Sequence, residues 1–234
     1  KPLPGSADEK ITEGLDGLPA RVEEYVGLGA RFAKWRAVIT IGDHLPSRHC
    51  LHANAHALAR YAKICQEGGL TPIVEPEVLM DGSHDINRCE EVTTETLNTV
   101  FDQLYTQQVA LEGMILKPNM VISGSECKDQ AGADEVARRT VECMKRCVPA
   151  AVPGIMFLSG GQSEKDATAH LNIMNAKFTP APWKLSYSYG RALQQSCLKT
   201  WQGDAGNVSA AQVILLERAR ANSAASAGTY AVAA

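Results

Sequence analysis

Residues able to do chemistry recur along this chain at a regular interval. Lys117 closes the apolar run Met114-Ile115-Leu116 and is followed at once by Pro118. A short apolar run stopped by proline reads as a buried strand that ends at the edge of the core. A lysine held there loses part of its hydration, which favours its free, nucleophilic amine. The plainer alternative is a stem lying over the strand end with its head in water. Glu75 and Glu77 stand two residues apart in Ile73-Val74-Glu75-Pro76-Glu77, on one face of a strand that the prolines are expected to stop. Carboxylates fixed beside a lysine amine are what general acid–base chemistry requires, although they also suit a capping loop. Lys34 and Arg36 share one side of Phe32-Ala33-Lys34-Trp35-Arg36. Two cations amid such neighbours need an anionic partner, a phosphate for example, unless the strand is an edge with a solvated face. Ser159-Gly160-Gly161 ahead of a helix leaves backbone N–H groups free for an oxyanion. Arg191, in the first turn of a later helix, opposes the helix dipole and makes sense if it points at an anion.

The elements that must carry these groups alternate in type. After a loop-like opening at Lys1 to Gly5, a helix is expected over Gly17 to Gly27 and a strand over Ala30 to Ile39. A helix from about Ser47 to Gln66, a strand from Thr71 and a long helix from about Asp85 to Tyr105 lead to the lysine strand. Beyond it come a helix over about Ala133 to Val148, a strand over Gly154 to Leu158, and a helix capped by Ser163 with Asp166. A strand over Pro182 to Tyr189, a helix from Gly190-Arg191 to about Trp201, and a helix from about Ser209 to Ala221 follow. An Ala/Ser/Gly-rich tail covers about 222–234. Strands alternating with helices imply a parallel sheet. Lys34, Glu75, Lys117 and Ser159 are spaced 41, 42 and 42 residues apart. With Ser188 they mark five strand C-termini in succession, which favours an eightfold α/β barrel.

Composition narrows the function. The chain has 234 residues, 45% hydrophobic and 21% charged, with a net charge of −3, enough for one sizeable domain over 1–234. No run of Lys and Arg favours nucleic acid or an anionic membrane surface. No apolar stretch approaches the roughly 18 residues of a membrane span, and no signal peptide opens the chain. Seven scattered cysteines, an odd number, suit reduced thiols and a cytoplasmic location. Cys143 and Cys147 lie one helical turn apart without a second pair, and they read as small core residues. His49, His52 and His56 share a helix side but lack a carboxylate or cysteine to complete a metal site, so surface histidines are expected.

Five blocks together carry a family resemblance. They are Phe32 to Arg36, Ile73 to Glu77, Leu111-Glu112-Gly113 through Lys117-Pro118-Asn119-Met120-Val121, Phe157 to Ser163, and Ser188-Tyr189-Gly190-Arg191-Ala192-Leu193. In order and spacing they resemble class I fructose-1,6-bisphosphate aldolase. The resemblance implies a TIM (β/α)8 barrel, of which this chain supplies about the last five β/α units. It implies a metal-independent, cofactor-free lyase of glycolysis and gluconeogenesis that cleaves fructose 1,6-bisphosphate reversibly to dihydroxyacetone phosphate and glyceraldehyde 3-phosphate. Lys117 then matches the Schiff-base lysine, Lys34 its neighbouring active-site lysine, Glu75 the proton shuttle and Glu77 the companion carboxylate. Arg36 matches a C6-phosphate contact. Ser159, Gly160, Ser188, Gly190 and Arg191 match the C1-phosphate cradle. The expected partners are sugar phosphates and further copies of the chain in a homotetramer.

The resemblance also marks departures. The family's first three strands, an aspartate used in C–C cleavage and a further lysine have no counterpart here, and Tyr230 matches a non-terminal tyrosine. The chain is therefore expected to be N-terminally incomplete, and inactive and aggregation-prone by itself, because five strands cannot close such a barrel. The competing readings are a metal-dependent aldolase, which needs histidines clustered at strand ends, and a catalytically incomplete fragment or scaffold/binding protein of the same fold.

Overall fold

Period-two patterning decides which side of each strand meets the helices. The computed structural model describes residues 1–231. In β3 (Phe32–Ile39), Trp35, Ala37 and Ile39 are buried while Lys34 and Arg36 on the other side are not. β4 (Thr71–Val78), β5 (Ile115–Leu116), β6 (Gly154–Phe157) and β7 (Lys184–Tyr187) turn Val74, Leu116, Ile155, Phe157 and Leu185 to the same side, while Glu75 and Glu77 on the other face of β4 are buried as well. These strands form one parallel sheet in the order β3-β4-β5-β6-β7. Crossovers between neighbouring parallel strands share one hand, so a strictly sequential order puts every connecting helix on the same face. The helices are α2 (Arg48–Glu67), α3 (Ile86–Thr106), α4 (Ala133–Cys147) and α5 (Glu164–Lys177), and each packs against the next. Ahead of the sheet come a hairpin of β1 (Pro2–Leu3) and β2 (Ser6–Lys10), then α1 (Leu18–Gly27). After it come α6 (Arg191–Trp201) and α7 (Val208–Ser226).

The core lies between the sheet and this helix layer. Val74, Leu116, Ile155, Phe157 and Leu185 from the strands meet Leu58, Leu97, Met144, Leu171 and Met174 from the helices. Trp35 stacks on Tyr61 of α2, with ring centroids 5.5 Å apart. Fully burying one such large side chain is worth about 1.5–3 kcal/mol, so this layer dominates the stability. Short polar residues start the helices: Ser47, Asp85 and Ser163 accept the N–H of Cys50 (3.1 Å), Arg88 (2.8 Å) and Asp166 (3.1 Å).

Four expectations need correction. The opening at Lys1 to Gly5 is not a loop but the first half of a hairpin whose strands are Pro2–Leu3 and Ser6–Lys10, and Gly5 makes the turn at φ +84°. Leu3 is buried there against Ile39, Ile41 and Leu51. The prolines do not stop β4, which continues through Pro76 to Val78. Leu79 N–H donates to Ile39 O, so the odd-numbered N–H groups of β4 face β3. Pro72 and Pro76 therefore face β5, which pairs only at Ile73 and Val74, and no ladder bond is lost. Glu75 consequently sits within β4, and Lys34 sits within β3, which runs on to Ile39, so neither is at a strand C-terminus. Finally, the last helix continues past Ala221 to Ser226, because Asn222 is fully buried and accepts the Thr168 hydroxyl at 2.8 Å.

Candidate active site

The sheet face away from the helices gathers the charges. Register pairs Arg36 with Glu75, Val38 with Glu77 and Val74 with Leu116, so Lys34, Arg36, Glu75, Glu77 and Lys117 project to one side. Glu75 is 3% exposed and serves two lysines: Lys117 Nζ lies 3.1 Å from its Oε1 and Lys34 Nζ lies 2.7 Å from its Oε2. Oε2 accepts no hydrogen bond, so the Lys34 contact is an ion pair alone. The lysines differ in environment, since the Lys117 side chain is 12% exposed and that of Lys34 is 42% exposed. Arg36 Nε donates to Glu77 Oε2, and that bond, the largest influence on it, pushes the guanidinium further up, securing its charge. The anion that the Lys34 and Arg36 face needs is thus the pair of β4 carboxylates. β3 is also an edge strand. A carboxylate this deeply buried is tolerable only when paired.

Arg36 and Glu77 also open onto a cavity of about 220 Å3, shared with Leu79, Met80, Gly160 and Arg191. It brings β3, β4, the β6–α5 turn and the start of α6 together. Asp81 lines the space too, so two guanidinium groups and two carboxylates share it; the guanidiniums are the groups able to bind a phosphate or another oxyanion. Gly160 is required by close approach, because a Cβ there would lie 2.9 Å from Glu77 Oε1. Gly161 adopts φ +69° against Met80, where a Cβ would overlap the sulfur. Ser159 is buried, and its carbonyl accepts the Gln162 N–H at 3.0 Å to close the turn. Ser188 and Gly190 lie in the β7–α6 turn that presents Arg191 and do not line the cavity. Lys117 and Glu75 also lie outside its lining, with Glu77 as the link. A cleft of about 530 Å3 near the end of α3 is lined by Phe101, Tyr105, Val109 and Leu111 and offers no acid–base pair.

Sequence reasoning missed several groups that hold the site. Asn119 is 4% exposed and makes three hydrogen bonds behind Lys117. The β4–α3 and β5–α4 loops are laced together by Gly124 N–H to His84 O (2.8 Å), Ser125 N–H to Met80 O (2.8 Å) and Glu126 N–H to Gly82 O (2.9 Å). His170, in α5, is buried and pairs through Nδ1 with Gln162 Oε1 at 2.7 Å, and burial holds its pKa down. None carries a signal in the sequence: Asn119 lies outside any periodic stretch, the loop bonds are made by backbone groups whatever the side chain, and the His170 contact depends on where Gln162 is placed. The helix-face histidines are exposed: His49 meets Pro4 O at 3.0 Å and His56 meets Gln103 at 3.2 Å. Cys143 and Cys147 are buried, as expected.

The family model for fructose-bisphosphate aldolase class-I matches residues 1–234. A probable fructose-bisphosphate aldolase class 1 from Xylella fastidiosa (strain Temecula1) is 60% identical over 230 residues, covering 98% of this chain and 69% of the relative. The cytoplasmic isozyme 2 of fructose-bisphosphate aldolase from Pisum sativum is 55% identical, over 97% of this chain and 63% of its own length. Among solved structures, the chain superposes with a TM-score of 0.97 and 50% identity on fructose-bisphosphate aldolase from Plasmodium falciparum. That protein was crystallised with TRAP and a small-molecule inhibitor, and the match covers 100% of this chain and 67% of the other.

Proposed function

The chain belongs to the class-I fructose-bisphosphate aldolases, glycolytic lyases, and from that premise we propose how its own residues perform the reaction. The Lys117 amine attacks the C2 carbonyl of fructose 1,6-bisphosphate, and the carbinolamine loses water to give a protonated imine on Nζ. The C3–C4 bond then breaks with its electron pair drawn into that imine, the C4 hydroxyl gives up its proton, and glyceraldehyde 3-phosphate leaves. Protonation of the enamine at C3 and hydrolysis of the imine by water release dihydroxyacetone phosphate and restore the amine. Glu75, within ion-pair distance of Lys117, carries protons as the carbinolamine forms and dehydrates. Lys34 holds the other carboxylate oxygen and presents a positive charge to the substrate hydroxyls. Glu77 anchors Arg36, which meets the C6 phosphate. Arg191, the backbone at Gly160 and Gly190, and the Ser159 and Ser188 hydroxyls take the C1 phosphate.

The observation that carries this reading is the buried Glu75 carboxylate held between two lysine heads, 3.1 Å from Lys117 and 2.7 Å from Lys34. The sequential all-parallel strand order supports the larger architecture, an eight-stranded barrel to which these five units belong. No helix among the described residues is long and apolar enough to cross a membrane. The names of the pea and one Arabidopsis relative include cytoplasmic and cytosolic, which supports the expected cytoplasmic location. The homotetramer comes from the resemblance and is tested by sedimentation. Borohydride reduction in the presence of fructose 1,6-bisphosphate tests the chemistry. It should leave one triose- or hexose-phosphate adduct on Lys117, and Lys117→Arg should abolish both adduct and turnover. Turnover surviving Lys117→Arg, or lost on adding EDTA, overturns the proposal.

A further inference from the structure

Pairing of β5 with β4 stops at the lysine. Lys117 N–H donates to Val74 O at 2.8 Å, and the following Pro118 has no N–H to give. Residues 119 to 122 then leave the sheet yet remain buried, so their polar groups need partners within the protein. Asn119 supplies three at once. Its Oδ1 accepts the Val78 N–H at 3.0 Å, and its Nδ2 donates to Thr93 Oγ1 and to Met120 O, both at 3.0 Å. The partners fix the orientation of the amide, since an N–H needs the oxygen and a carbonyl needs the nitrogen. Helix side chains satisfy the next residues: Val121 N–H donates to Thr140 Oγ1 at 2.9 Å and Ile122 N–H to Cys89 Sγ at 3.5 Å.

The bond to Val78 stands where a ladder bond would stand had β5 continued. It ties the backbone behind Lys117 to β4 one residue beyond Glu77, while Thr93 ties the same amide to α3. On the far side the segment is held to β6 by Leu158 N–H to Pro118 O at 3.1 Å. The geometry points to Asn119 as a positioning residue: its side chain fixes the direction in which the Lys117 amine leaves β5 relative to the β4 carboxylates. This rests on the role of Lys117 proposed above. Misplacing a reacting group by about 1 Å costs on the order of a hundredfold in rate, so a clamp this close to the amine controls the chemical step more than binding.

The test uses the enzyme with its sequence otherwise unchanged and fructose 1,6-bisphosphate as probe. Asn119→Leu keeps the branched outline, at a somewhat larger volume, and removes all three bonds. Thr93→Val removes one, and Thr93→Ser restores the hydroxyl. Borohydride trapping counts competent sites, and kcat is expressed per competent site. Asn119→Leu should lower the trapping rate and kcat per site roughly ten- to hundredfold with KM changed by less than about threefold. Thr93→Val should lower both by a smaller factor, about threefold, with Thr93→Ser at the wild-type level. Wild-type kcat per site in Asn119→Leu, with only the melting temperature lowered, would overturn the inference. Should Asn119→Leu not fold, a Thr93→Val enzyme with unaltered trapping rate overturns it instead. A wild-type enzyme that turns over without any borohydride adduct sinks the lysine chemistry itself.

Discussion

Glu75→Gln separates charge from shape at the centre of the site. The amide fits the same space but removes the counter-charge between two ammonium groups. At 3.1 Å the Lys117 pair is worth on the order of 5 kcal/mol before desolvation at an effective dielectric near 20. Removing one partner of a buried pair typically costs about 3–5 kcal/mol, and the retained amide oxygen favours the lower end. The Lys34 pair adds only about 0–1 kcal/mol, because that lysine is 42% exposed and screened by solvent. The folded state should therefore lose about 3 kcal/mol, a melting shift of roughly 6–12 °C for a protein of this size. Loss of proton shuttling should lower kcat by about 10²–10⁴ beyond any loss of folded protein. Calorimetry and steady-state turnover at saturating fructose 1,6-bisphosphate, well below the variant's melting point, read the two effects separately. A variant whose kcat stays within about tenfold of wild type would refute the assignment of Glu75 as acid–base.

Two further outcomes follow from packing and burial. Gly161→Ala combines a left-handed φ of +69° with overlap on Met80, and should cost about 2–3 kcal/mol in urea unfolding; in a Met80→Ala background, measured against Met80→Ala alone, it should cost only the backbone strain of about 1–2 kcal/mol. Burial depresses the His170 pKa below its ordinary 6.5, so the folded state binds fewer protons than the unfolded one. Its contribution is full above about pH 6.5 and is lost as pH falls toward the folded value, so unfolding free energy should decline over that window with a shallower slope in His170→Gln.

Much of this architecture can be read from residue patterns, and the exceptions have physical causes. Apolar runs bounded by Gly and Pro, with Ser163 as a cap and a helix start near Asp85, locate the main helices and strands because local propensity and tertiary packing agree there. Pro76 misleads because its missing N–H matters only where a neighbour needs it, and the shortness of β5 is a tertiary fact. The same extension moves Glu75 into the interior of β4, while Lys34 was never at the end of a strand that runs to Ile39; the shared face of each pair follows from alternation alone. Asn222 looks like part of a polar tail until Thr168 of another helix is placed beside it. Asn119 is hidden for a similar reason: the identity of its three partners depends on how β4, α3 and the lysine segment meet.

The ion pairs that join β3 to β4 also bear on how the chain finds its alignment. A slip of one residue would turn every apolar side chain of β3 outward and is excluded by burial alone. A slip of two residues keeps the greasy side inward, so hydrophobicity hardly opposes it. Such a slip would bring Lys34 up to Glu77, strand Arg36 beyond it and leave Glu75 to Lys117 alone, given that Lys34 now meets Glu75 and Arg36 now meets Glu77. The charges proposed to serve catalysis thereby proofread the seam at its edge, and neutralising one should loosen strand alignment as well as slow turnover.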